Sequence, residues 1–156
     1  ELVIADSGCL PETKEIISRV FSKEENTWLS HKYIQLCHNP GYAIGNNEAV
    51  KLANNSSEWI LFLNDDIVMD GESFITSMME LGRSKSKVVG AVGCTLRSID
   101  GTVLQESGSI VWKEGSAAGY GRGRKDLDAS DLIYPHPVDY VSGACIMVKK
   151  DIFESY

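Results

Sequence analysis

Trp59-Ile60-Leu61-Phe62-Leu63-Asn64-Asp65-Asp66 is the stretch whose reading decides the fold. Five apolar residues in a row, with no polar alternation, predict a strand covered on both faces, as a central parallel strand is. The run stops abruptly on an amide and two adjacent carboxylates. Upstream, Leu2-Val3-Ile4-Ala5 and Tyr33-Ile34-Gln35-Leu36-Cys37 read as two further short strands. Between them Pro11 marks a helix start, and Ile16, Ile17, Val20 and Phe21 follow at helical spacing, predicting an amphipathic helix over 11–23. A second helix is expected over 43–53, with Ala49, Val50 and Ala53 on its inner face. The order β-α-β-α-β calls for an α/β sandwich with a mostly parallel central sheet.

Downstream the texture changes. A helix is predicted over 71–83, with Phe74, Ile75, Met78 and Met79 inward, then a strand over 88–93. Asp100-Gly101 reads as a hairpin turn between Leu96 and Val103-Leu104. Another strand is expected at 109–112 and a last one at 138–148, interrupted at Ser142-Gly143. Residues 113–137, rich in Gly, Arg, Asp and Pro, read as a long surface loop. Trp28 and Trp112 are expected to be packing residues. Nothing marks a linker between two domains, so 1–156 is read as a single domain.

Composition narrows the function classes. Fifteen Lys+Arg against 22 Asp+Glu give a formal net charge of −7, with 43% hydrophobic residues. That is an ordinary globular composition. The acid excess speaks against a partner that is nucleic acid or anionic lipid, because nothing offsets phosphate repulsion. A single phosphate-bearing ligand held through a metal stays allowed. No apolar run approaches the roughly 18 residues of a membrane span. Cys9, Cys37, Cys94 and Cys145 form no CxxC pair and no dense disulfide framework, so they are expected to be buried free thiols of a reducing compartment. Asn54-Asn55-Ser56-Ser57 contains formal glycosylation sequons but reads better as a polar helix end.

Ligands of open α/β sheets gather outside the carboxyl ends of the strands. Three strands here end in polar clusters: Asp6-Ser7-Gly8, His38-Asn39-Pro40-Gly41-Tyr42 and Asn64-Asp65-Asp66. In a parallel sheet of neighbours all three would share one rim. Two adjacent carboxylates directly after an apolar strand are costly unless paired with a cation, and suit a hard divalent ion that completes its shell with phosphate oxygens and water. A solvated turn with helix-capping carboxylates is the alternative. Gly41 to Asn47 opens the second helix, where glycine permits close approach of a ligand and the helix N-terminus favours an anion. It is neither a Walker loop nor GxGxxG. Asp6 reads either as an acceptor for a base or ribose or as a turn former. Gly119 to Arg124 reads as a solvated loop or as a flap whose Arg122 or Arg124 reaches a diphosphate. His31, His38 and His136 lack metal-ligand spacing and have no GxSxG partner.

Taken in order, these segments resemble the family 2 glycosyltransferases. Asp6-Ser7-Gly8, Asn39 to Asn47 and Leu61-Phe62-Leu63-Asn64-Asp65-Asp66 carry the likeness. It continues through Val89 to Gly93, Asp100 to Gly108 and Val138 to Cys145, over nearly the whole chain. The later segments, including Trp112 to Gly121, are similar to bacterial members that build O-antigen and related surface polysaccharides. The resemblance implies a GT-A type, Rossmann-like fold, a nucleotide-diphosphate sugar donor, a glycan or lipid-linked acceptor, and Mg²⁺ or Mn²⁺. By position, Asp6 would face the base or ribose, and Asn39, Gly41, Gly45 and Asn47 would shape the nucleotide pocket. Asn64-Asp65-Asp66 stands where the family carries its DxD element, making Asp66 the metal ligand and Asp65 a ribose or sugar contact. Its first acid is Asn64 here, a departure that an octahedral ion completed by diphosphate and water tolerates.

Residues 1–70 would then be the nucleotide-binding half and 71–156 the acceptor side of an incomplete domain. The family's opening strand is expected before Glu1 and its catalytic base beyond Tyr156. Asp139 and Glu106 do not match the base position, so no base is named. The resemblance implies transfer with inversion, in a cytoplasmic protein whose parent chain could sit at the inner face of the membrane. The alternatives are a nucleotidyltransferase, which would want an Arg- or Lys-bearing glycine loop after the first strand, and a non-catalytic nucleotide-binding fragment.

Overall fold

Leu2–Asp6 (β1) and His31–Gln35 (β2) run parallel, in register from Leu2 opposite His31 to Asp6 opposite Gln35. The computed structural model describes residues 1–26, 30–71, 73–84, 88–125 and 134–156. Trp28 lies outside them. The chain divides into two compact units, Glu1–Ser57 and Glu58–Tyr156.

In the first unit Pro11–Phe21 (α1) makes the crossover between the two strands, with Pro11 in its first turn where no N–H is needed. Ile17 and Phe21 of its apolar stripe are half-buried, whereas Ile16 and Val20 are exposed. Phe21 stacks on His31 at the head of β2, centroids 3.8 Å apart. Tyr42–Val50 (α2) packs on β1 and buries Gly45. Glu1 accepts from Lys32 Nζ at 2.8 Å and from the Asn54 N–H at 2.8 Å, tying the start of both strands to the chain beyond α2. Asn54 in turn accepts from the Ser56 N–H and hydroxyl, so the sequon stretch is a hydrogen-bonded turn after the helix.

In the second unit Trp59–Leu63 (β3) and Ala91–Gly93 (β4) each pair antiparallel with Cys145–Lys149 (β9), in the order β3-β9-β4. The expectation of a mostly parallel sheet with β3 at its centre is therefore corrected: β1–β2 is parallel, but every ladder of this unit is antiparallel. An all-apolar strand reports burial and carries no information about the direction of its neighbour. Phe74–Gly82 (α3) covers the sheet. Met78, Val92, Cys145 and Met147 form the buried centre, with Trp59, Leu61, Phe74 and Met79 against it. Ile75, expected inward, is 48% exposed. Lys150–Glu154 (α4) follows β9 directly, and Phe153 meets Phe62 at 5.2 Å.

Two hairpins complete this unit. Leu96–Arg97 (β5) pairs with Leu104–Glu106 (β6) across a turn in which Asp100 accepts from the Ser98 hydroxyl at 2.6 Å and from the Thr102 N–H and hydroxyl. Those donors, the Ser98 hydroxyl foremost, pull the Asp100 carboxyl down to about 2. Ser109–Val111 (β7) pairs with Ala117–Gly119 (β8). The described part of 113–137 is thus not simply a loop. It begins with a hairpin turned at Gly115, whose φ of +87° favours glycine. The last strand is shorter than expected: upstream of Cys145, the described chain adds one bond, from the Asn64 N–H to the Ala144 carbonyl, and a bridge from Tyr140 to Ser109.

Gly93 shows how tightly β4 is packed, since a methyl group there would sit 2.5 Å from Val141 Cγ1 and 2.6 Å from its Cβ. Gly93→Ala should destabilise by about 1–3 kcal/mol through overpacking. Val141→Ala in the same chain should recover part of that loss, as read by urea unfolding of the single and double variants.

Candidate functional site

Asp6 ends β1, and its carboxylate is already engaged. Oδ1 accepts from the N–H groups of Gly8 at 2.9 Å and Cys9 at 3.1 Å, and Oδ2 accepts from the Tyr33 hydroxyl at 2.6 Å. The Tyr33 hydrogen bond contributes most to holding the Asp6 carboxyl below its ordinary range. Burial, followed by the Asp6 carboxylate, pushes the Tyr33 phenol up to about 12. Asp6 is therefore a turn former in this structure. The Gln35 side chain lowers the Asp6 carboxyl further.

Tyr33 escaped the sequence reading. It stands opposite Ile4, and residues two apart share a face of a strand, so the register places its hydroxyl beside Asp6.

The segment after β2 enters α2 through two left-handed residues, Asn39 at φ +39° and Gly41 at φ +84°. Gly41 is the N-cap of α2, and its conformation favours glycine. Gly45 sits one turn in. A methyl group there would meet Leu36 Cδ1 and Ser7 Oγ at 3.8 Å, an ordinary contact, so packing alone does not demand glycine. Asn39 and Asn47 are both exposed. Because β1 and β2 are parallel, Asp6 and the Asn39–Gly41 turn lie at the same end of their sheet.

In the second unit the Asn64 N–H donates to the Ala144 carbonyl at 2.9 Å, extending the β3–β9 ladder by one residue. The chain then turns at Asp65-Asp66. Both carboxylates are exposed, and neither has a hydrogen bond or ion pair among the described residues. The described residues contain no group of three or more His, Cys, Asp and Glu able to hold a metal. Two hard oxygen donors with open faces fit Mg²⁺ or Mn²⁺ of the kind shared with substrate phosphates, and not a cage built from protein alone.

Other acids and bases are structurally occupied. Asp139 accepts from the Val111 N–H at 3.1 Å, and buried Glu106 accepts from the Ser109 hydroxyl at 3.5 Å. The Gly119–Arg124 turn is tied by its main chain to Leu104, at 3.0 Å from the Leu104 N–H to Arg124 O and 2.8 Å from the Gly123 N–H to Leu104 O. Arg122 and Arg124 are exposed. His136 packs edge-on to Tyr120. Cysteines fit the buried expectation only in part: Cys145 is buried, Cys9 and Cys94 are half-buried, and Cys37 is exposed.

The described chain is α/β, with acids and glycine turns at its strand ends. Glycosyl transferase family 2 matches residues 1–156, and the chain belongs to that family. Membership implies the Rossmann-like GT-A architecture and supports glycosyl transfer between a nucleotide-sugar donor and an acceptor. No curated protein and no solved structure matches the chain significantly. Among the described residues, no helix is long and apolar enough to cross a membrane.

Replacing Tyr33 by Phe removes the donor on Asp6 Oδ2. Titration followed by carboxyl ¹³C shifts should then show the Asp6 carboxyl rising toward its ordinary value of 3.8. An unchanged Asp6 titration would show that the hydroxyl does not hold it.

Proposed function

We propose that this chain transfers a sugar, with inversion, from a nucleotide-diphosphate donor to a glycan or lipid-linked saccharide, in the synthesis of a bacterial surface polysaccharide such as O-antigen. One observation carries the reading: in a family 2 chain, two exposed carboxylates without a partner among the described residues follow the apolar strand β3 directly. Asp66 is the metal ligand and Asp65 the contact to ribose or sugar. Asp6 faces the base or ribose. Asn39, Gly41, Gly45 and Asn47 shape the nucleotide pocket, with residues 1–70 serving the nucleotide and 71–156 the acceptor. A bound Mg²⁺ or Mn²⁺ would neutralise diphosphate charge in a chain whose own net charge is −7. Inversion requires a base that takes the proton of the acceptor hydroxyl. Asp139 and Glu106 accept from the Val111 N–H and the Ser109 hydroxyl, and neither is assigned that role.

Calorimetry with UDP, GDP and dTDP, with and without Mn²⁺, tests the reading. One nucleotide should bind with Mn²⁺ and lose about tenfold or more in affinity, ~1.4 kcal/mol, in Asp66→Ala. Binding indifferent to both the metal and Asp66 would overturn the metal assignment.

Gly45 gives a separate check. Gly45→Ala should fold with its helix unharmed, or stabilised by about 0.5–1 kcal/mol, and yet bind the nucleotide more weakly. A variant equal to the parent in binding would remove Gly45 from the pocket.

A further inference from the structure

Two cysteines stand where the paired strands of the first unit end. Cys9 closes the Asp6 turn with a left-handed backbone, φ +52°, and its thiol points back at the Asp6 main-chain carbonyl, 3.8 Å away. That same carbonyl accepts the Leu36 N–H at 2.8 Å. The next residue is Cys37, so the Cys9 thiol and the turn that carries Cys37 meet at one peptide carbonyl although 28 positions, 37 − 9, separate the two cysteines in the chain. The neighbouring Cys37 thiol is also the largest influence that raises the Cys9 thiol. Cys37 is exposed and Cys9 half-buried, so a small solute can reach them. Cys94 and Cys145 are also neighbours, with Cys94 Sγ 4.0 Å from the Cys145 carbonyl, but Cys145 is only 2% exposed within the core of the second unit.

We propose that Cys9 and Cys37 are a reversible dithiol–disulfide pair whose closure staples the turn after β1 to the turn after β2. The oxidant is a low-molecular-weight disulfide such as oxidised glutathione. The Cys37 thiolate attacks its S–S bond, expels one glutathione thiolate and leaves glutathione on Cys37. The Cys9 sulfur then attacks Cys37 Sγ and expels the second glutathione. Two protein thiols give up two electrons and two protons, and one glutathione disulfide becomes two thiols. The order of attack follows exposure and acidity, because the adjacent Cys37 thiol, together with burial, pushes the Cys9 thiol up to about 11. Closure would restrain the two segments that carry Asp6 and Asn39, and it stands independently of what those residues bind.

The test uses the whole chain, folded, with oxidised glutathione, followed by thiol blocking and non-reducing peptide mapping. The free thiol count should fall from four to two. The map should show a Cys9–Cys37 cross-link that dithiothreitol reverses. Hydrogen exchange at the Leu36 amide should slow in the oxidised form, because the staple restrains the bond from Leu36 to Asp6. Cys94→Ser should still form the cross-link, and Cys37→Ser, a change at an exposed position, should retain every remaining thiol free. Glutathione left on Cys37 without a cross-link, a link involving Cys94 or Cys145, disulfide-linked dimers, no loss of thiols, or unchanged Leu36 exchange would each overturn the proposal.

Discussion

Cys145–Lys149 gives both of its edges to neighbours, and the second unit is built around that fact. Strand β3 bonds one side and β4 the other, while Met147 and Cys145, each 2% exposed, supply the buried centre from the same five residues. Sliding β9 by one residue would turn each of its side chains to the opposite face, so the core fixes the register. Register in turn fixes where β3 stops. Leu63 pairs with Cys145, Asn64 still reaches the Ala144 carbonyl, and there the partner strand runs out. The chain leaves the ladder at Asp65. The position of the two open carboxylates is thus set by the place where a strand more than 80 residues downstream begins, 145 − 63 = 82.

This dependence explains what could be read from the sequence and what could not. Local signals were sufficient for α1, with Pro11 at its head, for the apolar strands β1 and β3, and for the Asp100-Gly101 turn. The parallel β1–β2 pair followed from the helix lying between them. The direction of β9 was not legible, because an apolar pentapeptide fits either kind of neighbour. Nor was β8 legible. Ala117-Ala118-Gly119 has little intrinsic strand preference and is held in place by its backbone bonds to β7 across the Gly115 turn. The shorter helices tell the same story at their ends. Without a side-chain cap on α3, nothing local fixed its start at Phe74. In the candidate site the positions of Asp6, Gly41 and Asp65-Asp66 at strand ends were legible. The Tyr33 hydroxyl on Asp6 and the meeting of Cys9 with Cys37 were not, since both arise from the register of strands far apart in sequence.

The acids of this chain sort by what donates to them. Asp6 has two backbone N–H groups and a phenol, Asp100 has two hydroxyls and an N–H, and Asp139 has a backbone N–H of β7. Donors built into the fold stabilise the ionised form and leave an acid with little to gain from a cation. Asp65 and Asp66 have no such donors among the described residues and face water alone. Each therefore keeps the full Coulombic attraction for a cation, and the two lie next to each other in a chain of net charge −7. A hard ion placed there would relieve the mutual repulsion of the pair and still have most of its coordination shell to offer to phosphate oxygens. The same ion at Asp6 would have to compete with three hydrogen bonds. This difference in occupancy, more than the acidity of either strand end, is what favours the Asp65-Asp66 pair over Asp6 as the cation site of the proposed function.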